Sequence, residues 1–173
     1  MIIESIKQIK AKRLLKNAWL CLNNKDFANY FKKVEEAANL GFPLAQHYLS
    51  CCYQEGIGVD VDLEKHFYWA KLASEAGEAL AQTNLGRCYQ YGWGTEIDLG
   101  EALKWTTIAA QNGDPMGLHN IATFYREGSL LEKDDAKAKV FYEKAASKGL
   151  GRAMNDLGVL YQSEGDFYKL KYC

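Results

Sequence analysis

The sequence predicts an all-α protein whose helix–turn–helix units stack into a short solenoid. Two observations predict this fold. One set of residue types recurs at intervals of 36 positions, and the apolar residues within each copy follow the period of an α-helix. No stretch of useful length alternates apolar and polar residues with a period of two, so we do not expect strands.

The first helix of each unit is marked by a repeated tyrosine. An aliphatic residue stands four positions before each tyrosine, and a small residue, Ser, Gly or Ala, follows that aliphatic residue. In the first full copy, Ala45, Leu49 and Cys52 share one helical face with the tyrosine, which predicts an amphipathic helix. The tyrosines are Tyr53, Tyr89, Tyr125 and Tyr161.

Repeated glycines and aspartates mark where the helices end and begin. A glycine three residues after the tyrosine is placed to end the first helix in a left-handed conformation, and an aspartate is placed to cap the second helix. The second helix then carries a large aromatic residue and an alanine and stops at another glycine. The first glycines are Gly56, Gly92 and Gly128, the aspartates Asp62, Asp98 and Asp134, and the later glycines Gly77, Gly113 and Gly149.

These columns divide the chain into repeats within one predicted solenoid over residues 1–173. Residues 5–44 read as a degenerate N-terminal helical hairpin with a shorter loop, and residues 153–173 as a truncated last repeat. A solenoid without its final helix exposes an apolar face, so we expect self-association through this end. The full repeats are predicted at 45–80, 81–116 and 117–152.

The combined pattern resembles the Sel1-like repeat family, whose repeats are related to tetratricopeptide repeats. The resemblance is clearest in Ala81-Gln-Thr-Asn-Leu-Gly-Arg-Cys-Tyr89 and in Lys144-Ala-Ala-Ser-Lys-Gly149. It implies a right-handed α–α solenoid with the first helices lining a concave surface, and an adaptor role that brings proteins together. The third copy departs from the pattern, because Leu130 stands where a second loop glycine is usual.

If the first helices line such a surface, the residues beside their apolar face would contact the ligand. This set is polar, mixed in charge and includes an aromatic ring, which suits a protein or peptide segment held by hydrogen bonds and arginine pairing. Ordinary solvated helix positions are the alternative interpretation. The candidate contact residues are His47, Gln54, Thr83, Arg87, Gln90, Tyr91, His119, Arg126, Asn155 and Gln162.

The sequence predicts no catalytic residue, metal site or cofactor. His47 and His119 occupy the same column two repeats apart, too far for one metal, and are interpreted as surface histidines. His66 falls in a column that otherwise holds alanine, so we expect it to be packed. Cys52 and Cys88 share a core-facing column and are interpreted as small apolar residues.

Composition limits the partners and the compartment. The net charge of −1 argues against nucleic acid and against a polybasic membrane contact. No apolar run approaches the ~20 residues of a membrane span, and the N-terminus lacks the apolar region of a secretory signal. The five cysteines include no CxxC pair, which favours free thiols. We therefore expect a cytoplasmic protein, unless a signal peptide has been removed.

The favoured function is a protein-binding scaffold, and two alternatives stay open. One is a hydrolase of amide or lactam substrates, by analogy with cysteine-rich members of the family. It would need a clustered nucleophile and base, which the sequence does not show, and the paired cysteines of those members are absent. The other is a structural segment of a larger repeat protein.

Overall fold

The computed structural model describes the backbone of residues 2–164 and the side chains of residues 3–162. All regular secondary structure in this part of the chain is helical, so the predicted all-α fold is confirmed. None of these helices is both long and apolar enough to cross a membrane. The helices are α1 (Ile2–Asn23), α2 (Phe27–Asn39), α3 (Pro43–Glu55), α4 (Leu63–Glu75), α5 (Ala79–Tyr91), α6 (Leu99–Gln111), α7 (Pro115–Glu127), α8 (Asp135–Ser147) and α9 (Gly151–Glu164).

The helices form two compact units that divide between Asp98 and Leu99. In the first unit, α1 to α5 pack in chain order, each against the next, around a core that includes Val34 and Leu49. In the second unit, α6 to α9 pack in the same way around Tyr142 and its neighbours. In each unit, helices that follow one another along the chain therefore pack together. The predicted repeat boundaries stay a prediction. A single solenoid over residues 1–173 stays a prediction.

Aspartate side chains cap the N-termini of second helices. The Asp62 carboxylate accepts the backbone N–H of Lys65 at 2.9 Å, and Asp134 accepts that of Lys137 at 2.9 Å. These bonds to the ionised form hold the pKa of both carboxyl groups below the ordinary value. The predicted caps at these two positions are thus confirmed.

Glycines end the first helices in the left-handed conformation that the sequence predicts. Gly56, Gly92 and Gly128 follow α3, α5 and α7 with φ of 73°, 72° and 67°. Two residues later, the first two loops again place a glycine at positive φ. Leu130 does not adopt this conformation, since Lys25 is the one non-glycine residue with positive φ in the described part of the chain. The third loop therefore departs from the first two.

The last described helix, α9, is attached to the second unit by its apolar face. Ala153, Leu157, Leu160 and Tyr161 are buried in the core that α7 and α8 share with it. Residues 165–173, which would continue the predicted truncated repeat, lie outside the described residues.

Candidate protein-binding site

The ten candidate contact residues lie on the first helices of the repeats, α3, α5, α7 and α9, and they differ in exposure. Six belong to the first unit and four to the second, and each group is described within its own unit. Buried are His47, Thr83 and His119; partly exposed are Gln54, Arg87, Gln90 and Arg126; exposed are Tyr91, Asn155 and Gln162. A partner therefore has direct access to seven of the ten side chains.

The interpretation of His47 and His119 as surface histidines is wrong. Their exposed fractions are 8% and 7%. The centres of the His119 and Tyr142 rings lie 5.3 Å apart, and His119 Nε2 lies 2.7 Å from Asp156 Oδ2. Because a carboxylate can only accept, the imidazole donates this hydrogen bond. Both imidazoles are therefore largely covered, so a partner could reach them only in small part.

In the first unit, the exposed set is built around a tryptophan in the loop after α5. The guanidinium of Arg87 lies 4.8 Å from the centre of the Trp93 ring, and the centres of the Tyr91 and Trp93 rings lie 5.3 Å apart. The Trp93 indole therefore makes a cation–π contact with Arg87 and packs against the ring of Tyr91. Sequence reasoning missed Trp93. Its signal was a large aromatic residue in a loop column that holds Ile57 and Ser129 in the other copies.

In the second unit, a polar network links α7, α8 and α9. Asp156 on α9 accepts from His119 and also from Arg126 Nη1, at 3.4 Å. The Arg126 guanidinium lies 5.8 Å from the centre of the Tyr142 ring, and the Tyr142 hydroxyl lies 3.1 Å from Thr123 Oγ1. Burial raises the pKa of Tyr142, so its hydroxyl remains a neutral donor or acceptor. Sequence reasoning missed Asp156, whose column carries a carboxylate in the last copy alone.

Ser50 and His66 form the one close hydroxyl–imidazole pair in the first unit's described core, with Ser50 Oγ 2.8 Å from His66 Nδ1. Both side chains are fully buried, which confirms the prediction that His66 is packed. His66 Nδ1 also lies 3.0 Å from the Ser50 carbonyl oxygen, and Ser50 donates to the His66 carbonyl. The pair therefore joins α3 to α4 and has no surface for a substrate.

Three cysteines of the first unit, Cys51, Cys52 and Cys88, are held in the thiol form. Burial raises the pKa of Cys51 to about 11 and the pKa of Cys52 and Cys88 to about 12. Since the thiolate is the nucleophile and the metal ligand, neither property develops at neutral pH. The prediction that Cys52 and Cys88 fill the core is confirmed, because both are fully buried.

Comparison with known families recovers three repeats. The sequence matches the Sel1 repeat family at residues 43–78, 79–114 and 115–150, which is more than half of the 173 residues. The chain belongs to the Sel1 repeat family. Proteins with Sel1 repeats are commonly protein-interaction scaffolds. Each matched range begins at a first helix, two residues before the repeat start that the sequence columns predict.

Solved structures of other Sel1 repeat proteins resemble this one. A Sel1 repeat protein from Oxalobacter formigenes is 30% identical, with a TM-score of 0.80, over 87% of this chain and 63% of its own. A protective antigen present in uropathogenic Escherichia coli strains, displaying an SLR fold, is 31% identical, with a TM-score of 0.79, over 89% of this chain and 34% of its own. This chain thus spans less than two thirds of the length of either protein. The all-α repeat solenoid fold is confirmed.

A more distant structure shares the fold alone. Helicobacter pylori cysteine rich protein B is 20% identical, with a TM-score of 0.59, over 73% of this chain and 96% of its own. A search of curated proteins by sequence gives no match.

Proposed function

We propose that this Sel1 repeat chain is a scaffold that holds a protein or peptide segment against the first helices of its repeats. The observation that supports the proposal is the cluster of Arg87, Tyr91 and Trp93 on and beside α5. Arginine, tyrosine and tryptophan are the residue types that dominate protein-binding energetics. The fold is typical of non-catalytic scaffolds, which agrees with the absence of any predicted catalytic residue from the sequence.

The two arginines of the candidate surface differ in how available they are to pair with a carboxylate of the partner. Arg126 already interacts with Asp156, so a partner carboxylate must compete for it. Arg87 takes part in none of the ion pairs found among the described residues and is held over the Trp93 ring. A held side chain loses less conformational freedom on binding. Arg87 is therefore the anchor that we expect to contribute most.

Truncating Tyr91 is expected to weaken partner binding without harming the fold. Tyr91 is 54% exposed, and large aromatic anchors commonly cost about 2 kcal/mol or more of binding free energy when replaced by alanine. The measurement is affinity capture from the source cell's lysate with wild type, Tyr91→Ala, and a triple variant that adds Arg87→Ala and Arg126→Ala. Circular dichroism checks that all variants fold equally.

Tyr68 provides the matched control for this experiment. It is 55% exposed but lies on α4, a second helix, where it contacts the neighbouring Trp69 ring. Tyr68→Ala should recover the partner as well as wild type does. Equal loss with both tyrosine variants would move the binding surface away from the first helices. Equal recovery by wild type and the triple variant would refute the proposed site.

Self-association through residues 153–173 belongs to the same proposal. Within α9, Val159 is 52% exposed, whereas Leu157, Leu160 and Tyr161 are buried. We expect the mass measured by light scattering to rise with protein concentration, and Val159→Glu to reduce that rise. A monomer mass at every concentration would contradict self-association.

A further inference from the structure

An aromatic contact recurs between successive repeats in the first unit. Phe31 on α2 meets the ring of Tyr53 edge-on, with ring centres 5.6 Å apart. Phe67 on α4, one repeat later, meets Tyr89 in the same way at 5.4 Å. Each second helix thus inserts a phenylalanine against the tyrosine of the next first helix.

The second unit lacks this phenylalanine. The equivalent position on α6 is Leu103, and the next tyrosine, Tyr125, stacks instead on Phe141 of α8, with ring centres 5.9 Å apart. Phe141 is itself smaller than the tryptophans at its column in the two preceding repeats. A groove of about 680 Å³ lies where these larger rings are missing, and Leu103, Ile121, Tyr125, Leu131 and Phe141 contribute its apolar lining.

Two lysines give this groove a positive rim. The groove is lined by Lys144 on α8 and by Lys148, which directly follows α8. The other residues that line the groove carry no charge. The Lys144 ammonium group lies 5.3 Å from the centre of the Phe141 ring, and the Lys148 ammonium group lies beside Gly113. Neither lysine takes part in the ion pairs found among the described residues. At the column of Lys144, the two preceding repeats have Leu72 and Ile108.

We propose that this groove is a second binding site, which takes an acidic segment of a partner protein and one of its aromatic side chains. Phe31 and Phe67 stand at the positions equivalent to Leu103 in the earlier repeats, and the inserted ring would occupy the corresponding space. It would contact Tyr125 and Phe141. Carboxylates flanking that ring would face Lys144 and Lys148, where the groove offers charge complementarity. None of the ten candidate contact residues lines the groove, so this site is distinct from the proposed first-helix surface.

The test uses the peptide acetyl-Glu-Trp-Glu-amide at up to 10 mM and follows the methyl resonances of Leu103, Ile121 and Leu131 by NMR. We expect saturable shifts at these methyl groups. The same peptide with glutamine for both glutamates should bind about tenfold more weakly, and the peptide with alanine for tryptophan should not shift these groups. Wild-type protein that shows no saturable shift up to 10 mM would overturn the proposal.

Three variants locate the site. Leu103→Phe restores the missing ring and should abolish peptide binding while leaving the melting temperature unchanged or higher. Leu103→Ala keeps the groove open and should retain binding. Lys144→Glu with Lys148→Glu should weaken binding at least tenfold, whereas the exposed pair Lys32→Glu with Lys71→Glu should not. Binding that survives in Leu103→Phe, or is lost equally with both lysine pairs, would overturn the assignment.

Discussion

Gly94→Ala is expected to lower the free energy of unfolding of the first unit by about 3 kcal/mol, the largest effect of any single methyl group that we anticipate. Two costs add at this position. The backbone of Gly94 has φ of +68°, where a side chain costs about 1–2 kcal/mol. A Cβ there would also overlap the carbonyl oxygen of Leu63 and lie 2.9 Å from the Cα of Glu64, and such overpacking commonly costs about 1–3 kcal/mol.

Gly77→Ala separates these two costs. Gly77 has φ of +89°, but a Cβ at this position would meet no atom within 4 Å. It should therefore lose only the backbone cost of about 1–2 kcal/mol. Urea denaturation of both variants, with amide hydrogen exchange over α4 and α5, measures the difference. Equal losses in the two variants would show that the loop does not press on the start of α4.

The same close approach explains why the second loop glycine is repeated. A Cβ at Gly58 would overlap the carbonyl oxygen of Phe27, the first residue of α2, as one at Gly94 would overlap that of Leu63, the first residue of α4. In both cases the loop of one repeat rests on the start of the preceding second helix. Leu130 occupies this column in the third repeat without a positive φ, and the residue after it, Leu131, lines the groove of the second unit.

The features of the fold that could be predicted from the sequence are those that depend on local geometry. The left-handed ends at Gly56 and Gly92 and the caps at Asp62 and Asp134 each involve a few neighbouring residues, and their chemistry repeats with the chain. The positions of the helices along the chain could also be predicted, because the apolar residues on the buried face of each helix recur with a fixed period.

The candidate site was harder to predict because burial depends on residues far away in the sequence. His119 is covered by Tyr142, 23 positions later, and bonded to Asp156, 37 positions later. The helical period marks the centre of an apolar face but not its width. The column of Thr83 and His119 was therefore predicted to lie outside the buried face, although both side chains are buried. Trp93 was missed because its loop column holds Ile57 and Ser129 in the other copies, so no aromatic residue repeats there.

His66 is expected to make the stability of the first unit fall as the pH drops below about 6.5. Burial lowers the pKa of His66 most, the hydrogen bond to the Ser50 carbonyl opposes this in part, and the nearby charge of Arg87 adds a smaller lowering. The unfolded chain, with a histidine pKa near 6.5, therefore binds this proton more tightly than the folded chain does. The stabilisation is complete above about pH 6.5 and is lost as the pH falls toward the folded pKa, by up to about 1.4 kcal/mol per pH unit.

His66→Asn removes the titration while leaving a side chain that still reaches Ser50. We expect wild type to lose stability between pH 6.5 and 5 more steeply than His66→Asn, as measured by urea midpoints and by exchange of the α3 and α4 amides. Above pH 7.5 the two curves should run parallel, because the imidazole is then neutral in both states. Parallel curves down to pH 5 would mean that the folded unit accepts a charge at His66. Below about pH 5 the comparison loses its meaning, since capping carboxylates such as Asp62 and Asp134 begin to titrate.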